Sequence, residues 1–337
     1  MQSFHQGLIS PWLAGVSCVL FTVLFVGSLF VFPIRTTAED SMPSTGSSPE
    51  SSQRTHHRQA MDRDHPLVIQ QRLKGITLTM ILAPLYLWIV LSFSGTLPSD
   101  LPLGTRLRVF LQLLGLSIPN NLIKLLSHIF LPVLLVAILY MGPLLMMFLN
   151  NELPFQPRFQ WSAHWHFLRE WIGIRNYIAG PVAEEFIFRA CMVAIAACSG
   201  GSMRGMVFGL PLVFGIAHLH HGYESYVKKG RTRQALIQAG LIALVQLAYT
   251  TLFGWFATYL FLRTSSVLGP CLSHSFCNMM GLPDVSSIQY YGHWKKWLYL
   301  AFLLGVVLFG VFLRPLTEPA LYGDSERSAY WYLVAAV

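Results

Sequence analysis

Charge is scarce in this 337-residue chain: Asp, Glu, Lys and Arg together make up 11% of it, against 54% hydrophobic residues. So few charges cannot cover a soluble surface, and the mean hydropathy of +0.51 excludes the pair of soluble domains that length alone would allow. Cysteine is scarce too. Cys18, Cys191, Cys198, Cys271 and Cys277 all sit in apolar stretches without CxxC spacing, which argues against a disulfide framework or zinc ribbon and for reduced, packed thiols. The chain has no HExxH sequence and no internal repeat. Its net charge of +8 and pI of about 9.4 come from short loops between apolar stretches, so membrane topology explains them and nucleic acid is not an expected partner.

What is present is a series of apolar windows of about 17 to 25 residues, each able to cross a hydrocarbon core as a helix. The expected fold is all-α, a polytopic membrane bundle of about eight transmembrane helices with interfacial helices. Residues 8–32 carry no acidic or basic side chain and exceed the roughly 7 to 15 residues of a signal-peptide core. They read as an uncleaved anchor spanning 1–34. Residues 35–73, rich in Ser, Pro, Thr and charge, read as a disordered polar cytosolic loop whose His56, His57 and His65 are loop histidines rather than metal ligands.

A core over 74–315 follows, with spans at 75–93, 122–149, 176–198, 205–221, 235–262, 267–281 and 297–313. The third span of the chain, 122–149, should bend near Pro132 and Pro143. Residues 101–116 and the aromatic stretch 161–171 should lie along the interface. The tail, 316–337, is assigned no role. With the N-terminus outside, the alternate loops expected in the cytosol hold about 15 of the Lys and Arg residues against about seven elsewhere, which supports that orientation.

The sequence NYIAGPVAEEFIFRA at 176–190 places Glu184, Glu185 and Arg189 inside an apolar span, where each ionisable group costs roughly 2.5 to 3.5 kcal/mol and so points to function. Residues four apart share a helix face, so Glu185 and Arg189 can pair while Glu184 projects about 100° away. A buried, charge-compensated knot that only fixes packing is the plain alternative. Phe214 and His218 are also four apart, as are His274 and Asn278. Counting along the spans puts Glu184, His218, His274 and Asn278 within roughly 10 Å of one membrane face. A carboxylate, two imidazoles and an amide at one depth can activate water and stabilise an oxyanion. Cys277 neighbours His274 but points about 100° away from it, and reads as an inert thiol.

The motifs Glu184-Glu185-x-x-x-Arg189, Phe214-x-x-x-His218 and His274-x-x-x-Asn278, set in RNYIAGPVAEEFIFRACM, FGIAHLHH and HSFCNMMGLP, resemble the type II CAAX prenyl endopeptidases. The resemblance implies an eight-span bundle in the endoplasmic reticulum membrane, its site toward the cytosol. Such a protein removes the last three residues of farnesylated or geranylgeranylated CaaX proteins, such as small GTPases. It implies Glu184 as the group that activates water, helped by His218, with His274 and Asn278 on the oxyanion. Glu185, Arg189 and Phe214 would support the site, and no metal or other cofactor would be needed. Gly180 departs from the alanine expected before the proline.

Rival readings remain at this point. One is a zinc-dependent form using a glutamate, His218 and His274. Another is a transporter with a Glu/His relay, disfavoured by the lack of duplicated halves. The third is a scaffold that binds prenylated tails. The basic stretch 228–233 suits anionic lipid headgroups or simple topology.

Overall fold

Proline and polar caps set where the first helices begin. Helix α1 (Pro11–Val31) opens on a proline whose missing N–H would have had no partner anyway, with the Ser10 hydroxyl accepting the Leu13 amide at 3.2 Å. Helix α2 (Pro66–Phe93) opens the same way, its His65 Nδ1 accepting the Leu67 amide. The computed structural model describes residues 8–32, 64–119, 121–217, 222, 225–227, 229–323 and 330–331. Residues 66–73, expected in the polar loop, are therefore helical, while His56 and His57 lie outside the described residues. α1 and α2 run in close contact because Gly75 has no Cβ: one would collide with the Ser28 carbonyl. The Thr79 hydroxyl adds a bond to the Leu24 carbonyl at 3.2 Å.

Helix α3 (Leu103–Leu113) is short, as expected of the interfacial segment. Asn121 caps α4 (Leu122–Leu139), and α5 (Met141–Leu149) follows after a break at Tyr140. The expected break thus falls near Pro143, and Pro132 causes none. Pro132 continues α4, whereas Pro143 has no N–H and its ring would meet the carbonyl of Leu139 in a continuous helix, so the chain breaks just upstream. Helix α6 (Trp161–Arg169) buries none of its residues, and Arg169 lies over the Trp165 ring at 5.0 Å. This is the composition of a helix in the headgroup region.

A continuous helical run then spans 171–198. It comprises α7 (Trp171–Ile174), a π turn (Arg175–Ala179), α8 (Gly180–Glu185), a second π turn (Phe186–Cys191) and α9 (Met192–Cys198). Gly180 has a local reason. Its N–H bonds the Arg175 carbonyl across the π turn, and a Cβ there would lie 2.7 Å from that same oxygen. The remaining helices are α10 (Met203–Ala217), α11 (Arg233–Thr264), α12 (Leu268–Met280) and α13 (Lys295–Leu316). α10 packs on α11, α12 on α4 and α11, and α13 on α4 and α5.

Among the described residues, five helices are long and apolar enough to cross a membrane: Pro11–Val31, Pro66–Phe93, Leu122–Leu139, Arg233–Thr264 and Gly292–Leu316. The protein is a multi-pass membrane protein, all-helical among the described residues. The other three expected spans correspond to the interrupted run 171–198, to α10, described as far as Ala217, and to the 13-residue α12. All seven residues of α9 are buried, whereas no more than a third of any long span's most apolar window is. Helices shielded by protein can carry irregular backbone that a lipid-facing helix cannot.

The tail also has a place. Thr317, Tyr322 and Tyr330 are buried, Tyr330 donates its hydroxyl to the Leu113 carbonyl, and the Trp331 indole donates to the Arg263 carbonyl at 3.0 Å. It closes the end of the bundle where α3 and α11 finish.

Candidate active site

The local spacing of α8 and the following π turn produces the first contact of the site. Arg189 Nη1 donates to Glu185 Oε1 at 3.0 Å, with both side chains essentially inaccessible. Two aromatic faces enclose the guanidinium: its carbon lies 4.4 Å from the Phe214 ring of α10 and 5.8 Å from the Phe253 ring of α11. Such cation–π contacts suit a desolvated arginine. Gly254 lets α11 come this close, since a Cβ there would stand 2.6 Å from Pro211 and 3.3 Å from Arg189 Nη2.

Helix α12 supplies the other half. His274 Nδ1 lies 2.8 Å from Glu185 Oε1, and His274 Nε2 lies 3.9 Å from Glu184 Oε2. A carboxylate oxygen only accepts, so the proton of that short bond resides on His274 Nδ1, and the opposite ring nitrogen faces Glu184. The imidazole also packs at 4.8 Å against Phe253. One turn along α12, Asn278 Nδ2 donates to the backbone carbonyl of Asn176 at 2.8 Å.

Glu184, His274 and Asn278 share the wall of a cavity of about 670 Å³ whose other sides are mostly apolar, with Phe253, Phe256 and Phe309 among them. That volume lies within the usual range of small-molecule pockets. Outside the spans, Asp284 sits in the loop that follows α12. The Ser286 hydroxyl at 2.5 Å, with the Ser286 and Ser287 amides, holds its carboxyl below the usual carboxylate range.

Of the residues expected from the sequence, Glu184, Glu185, Arg189, Phe214, His274 and Asn278 come together, while His218 lies outside the described residues. Glu184 falls near the middle of the helical run 171–198. Cys277 lines the cavity, but neither His274 ring nitrogen is directed to it; both face carboxylates. Phe253 and the Asn176 carbonyl were not foreseen. Phe253 is one of many aromatics on a uniformly apolar helix, and a backbone carbonyl leaves no mark on the sequence.

The sequence of a human protein described as CAAX prenyl protease 2 is 32% identical over 323 residues, covering 93% of this chain and 84% of the human protein. The chain belongs to the CAAX prenyl protease 2 family. A family profile described as type II CAAX prenyl endopeptidase Rce1-like matches residues 166–280, the stretch that holds Glu184, Glu185, Arg189, Phe214, His274 and Asn278. A probable family member from Schizosaccharomyces pombe is 31% identical over 290 residues, covering 86% of this chain and 88% of its own length. The Arabidopsis thaliana relative is 40% identical over a shorter 159 residues, 47% of this chain and 49% of that protein. No solved structure matches.

Proposed function

We propose that this chain is an endopeptidase that removes the C-terminal aaX tripeptide from farnesylated or geranylgeranylated CaaX proteins, using water activated by Glu184. The observation that carries this reading is the meeting of Glu184, His274 and Asn278 on one wall of a large, mostly apolar cavity. A substrate cysteine carrying an isoprenoid needs that combination. Each buried CH₂ of the lipid contributes about 0.8 kcal/mol, so the chain has a reason to enter between helices while its peptide meets the polar wall.

In this mechanism Glu184 takes the proton of a water as that water attacks the scissile carbonyl, then delivers it to the departing amine. The oxyanion of the tetrahedral intermediate is met by the Asn278 amide and by His274. His274 can donate from Nε2 only when both ring nitrogens carry protons, because Nδ1–H is directed at Glu185. Glu185 and Arg189 fix the imidazole ring without touching substrate. His218 assists Glu184 in this reading. The proposed setting is an eight-span bundle in the endoplasmic reticulum membrane with the peptide entering from the cytosol.

The test is release of the terminal tripeptide from a farnesylated CaaX peptide by purified protein in detergent, for wild type and Glu184→Gln, each with and without chelator. Cleavage by wild type in chelator, lost in the variant, is the expected result. Cleavage abolished by chelator and restored by zinc would replace the mechanism with a metal-dependent one. If a well-folded wild type cuts no prenylated peptide, the activity itself is wrong.

A further inference from the structure

The first π turn bears on how Asn278 is held. Asn278 is exposed to the cavity, and its terminal torsion joins an sp³ to an sp² centre, for which rotamer preferences are broad. Left to itself such an amide would swing. An oxyanion donor has to be held within about 0.5 Å and 10–20° of the productive geometry. Here one of its two N–H groups is fixed on the Asn176 carbonyl at 2.8 Å, which also decides which end of the amide is which, since a carbonyl can face only the NH₂. The second N–H remains for the cavity. Asn176 lies in the π turn Arg175–Ala179, a widened turn of the kind that takes carbonyls off the regular helical ladder.

Asn176 is itself held. Its side-chain Oδ1 accepts from Arg175 Nε at 2.9 Å, and Arg175 Nη2 donates to Asp64 Oδ1 at 2.8 Å. Asp64 directly precedes His65, the cap of α2, so this chain of bonds ties the start of an outer helix to the turn that holds Asn278. The Arg175 and Asp64 side chains are 21% and 44% exposed, and an ion pair this accessible contributes little to stability. Its consequence should appear in geometry instead.

We propose that Arg175 is a positioning residue: anchored by Asp64, it fixes Asn176 in the π turn and thereby fixes the amide of Asn278 as an oxyanion donor. The oxyanion role rests on the proposed hydrolytic function, whereas the positioning of the amide does not. Two readouts separate them. In protein labelled with ¹⁵N-asparagine, Arg175→Gln and Asn176→Ala, the latter keeping the backbone carbonyl, should shift and broaden the Asn278 side-chain amide resonances, assigned by their loss in Asn278→Ala. Asp64→Glu should leave them in place.

In the peptide assay the same two variants should lower kcat by about ten- to a hundredfold, the scale of a small misplacement of a catalytic group, with KM and thermal midpoint unchanged. Adding Arg175→Gln to Asn278→Ala should produce no further loss. Unchanged Asn278 resonances, or losses that multiply in the double variant, would overturn the proposal. Shifted resonances in a protein whose wild type cleaves nothing would uphold the positioning and sink the hydrolytic reading.

Discussion

Two arginines are buried among the described residues, Arg189 at 1% exposure and Arg263 at 5%, and they are treated very differently. Arg263, near the end of α11, donates to the Thr317 hydroxyl at 3.4 Å, to the Arg314 carbonyl at 3.3 Å and to Glu318 at 2.8 Å. Glu318 is 54% exposed, so this charge opens toward solvent. Arg189 has one carboxylate and two phenyl rings, and among the described residues both its Nη2 and the Oε2 of Glu185 lack hydrogen-bond partners. A buried polar atom left unsatisfied costs about 1 to 3 kcal/mol. The contrast separates a charge that fastens structure, with Nε and Nη2 bonded to oxygens, from one that tensions a site and keeps unsatisfied atoms beside a histidine and a second carboxylate.

The largest effect should come from the site itself. Glu184→Gln is expected to lower kcat by about 10²- to 10⁴-fold while leaving prenyl-peptide affinity within about twofold, measured by single-turnover cleavage and equilibrium binding. A variant that cleaves normally would make the Arg189 region another structural knot, and the contrast with Arg263 would collapse. Next, Arg189→Met strands a buried carboxylate and should cost about 3 to 5 kcal/mol in unfolding from detergent. Replacing Glu185 by Met as well should recover most of that stability but not activity, because His274 loses the acceptor that orients it. A double variant no more stable than the single one would show that the pair stabilises the fold outright.

At the other end the effects shrink. Arg263→Met should cost about 1 to 2 kcal/mol in the same measurement, with kcat per folded molecule unchanged. A fall in kcat there would mean that the tail end and the site are coupled. Glu318→Gln should cost under about 1 kcal/mol, and less at high salt, as befits a half-exposed pair.

The parts legible in the sequence were local ones. The pairing of Glu185 with Arg189 and the separate direction of Glu184 followed from helical spacing alone, and the five long spans followed from length and hydropathy. What escaped depends on how distant segments dock. Nothing in the spacing says that His274 approaches Glu185 more closely than Glu184, because that is decided by how α12 leans on α8. Likewise the tail looked featureless because Tyr322, Tyr330 and Trp331 are ordinary aromatics until they find Leu316, Leu113 and Arg263. The π turns carry no compositional signature that distinguishes them from the α-helix on either side.

Those two π turns have a consequence for how this segment tolerates change in length. A π turn holds one residue more than the regular turn it replaces. Removing a residue from 175–179 would let that turn relax into an unbroken α-helix, and in doing so would rotate one side of the segment against the other by about 100°. The backbone would be more regular, but Glu184 and the Asn176 carbonyl could no longer both face α12. Length along this helix is thus as tightly specified as side-chain identity, and a single-codon deletion that improves its helicity should be more damaging than most substitutions within it.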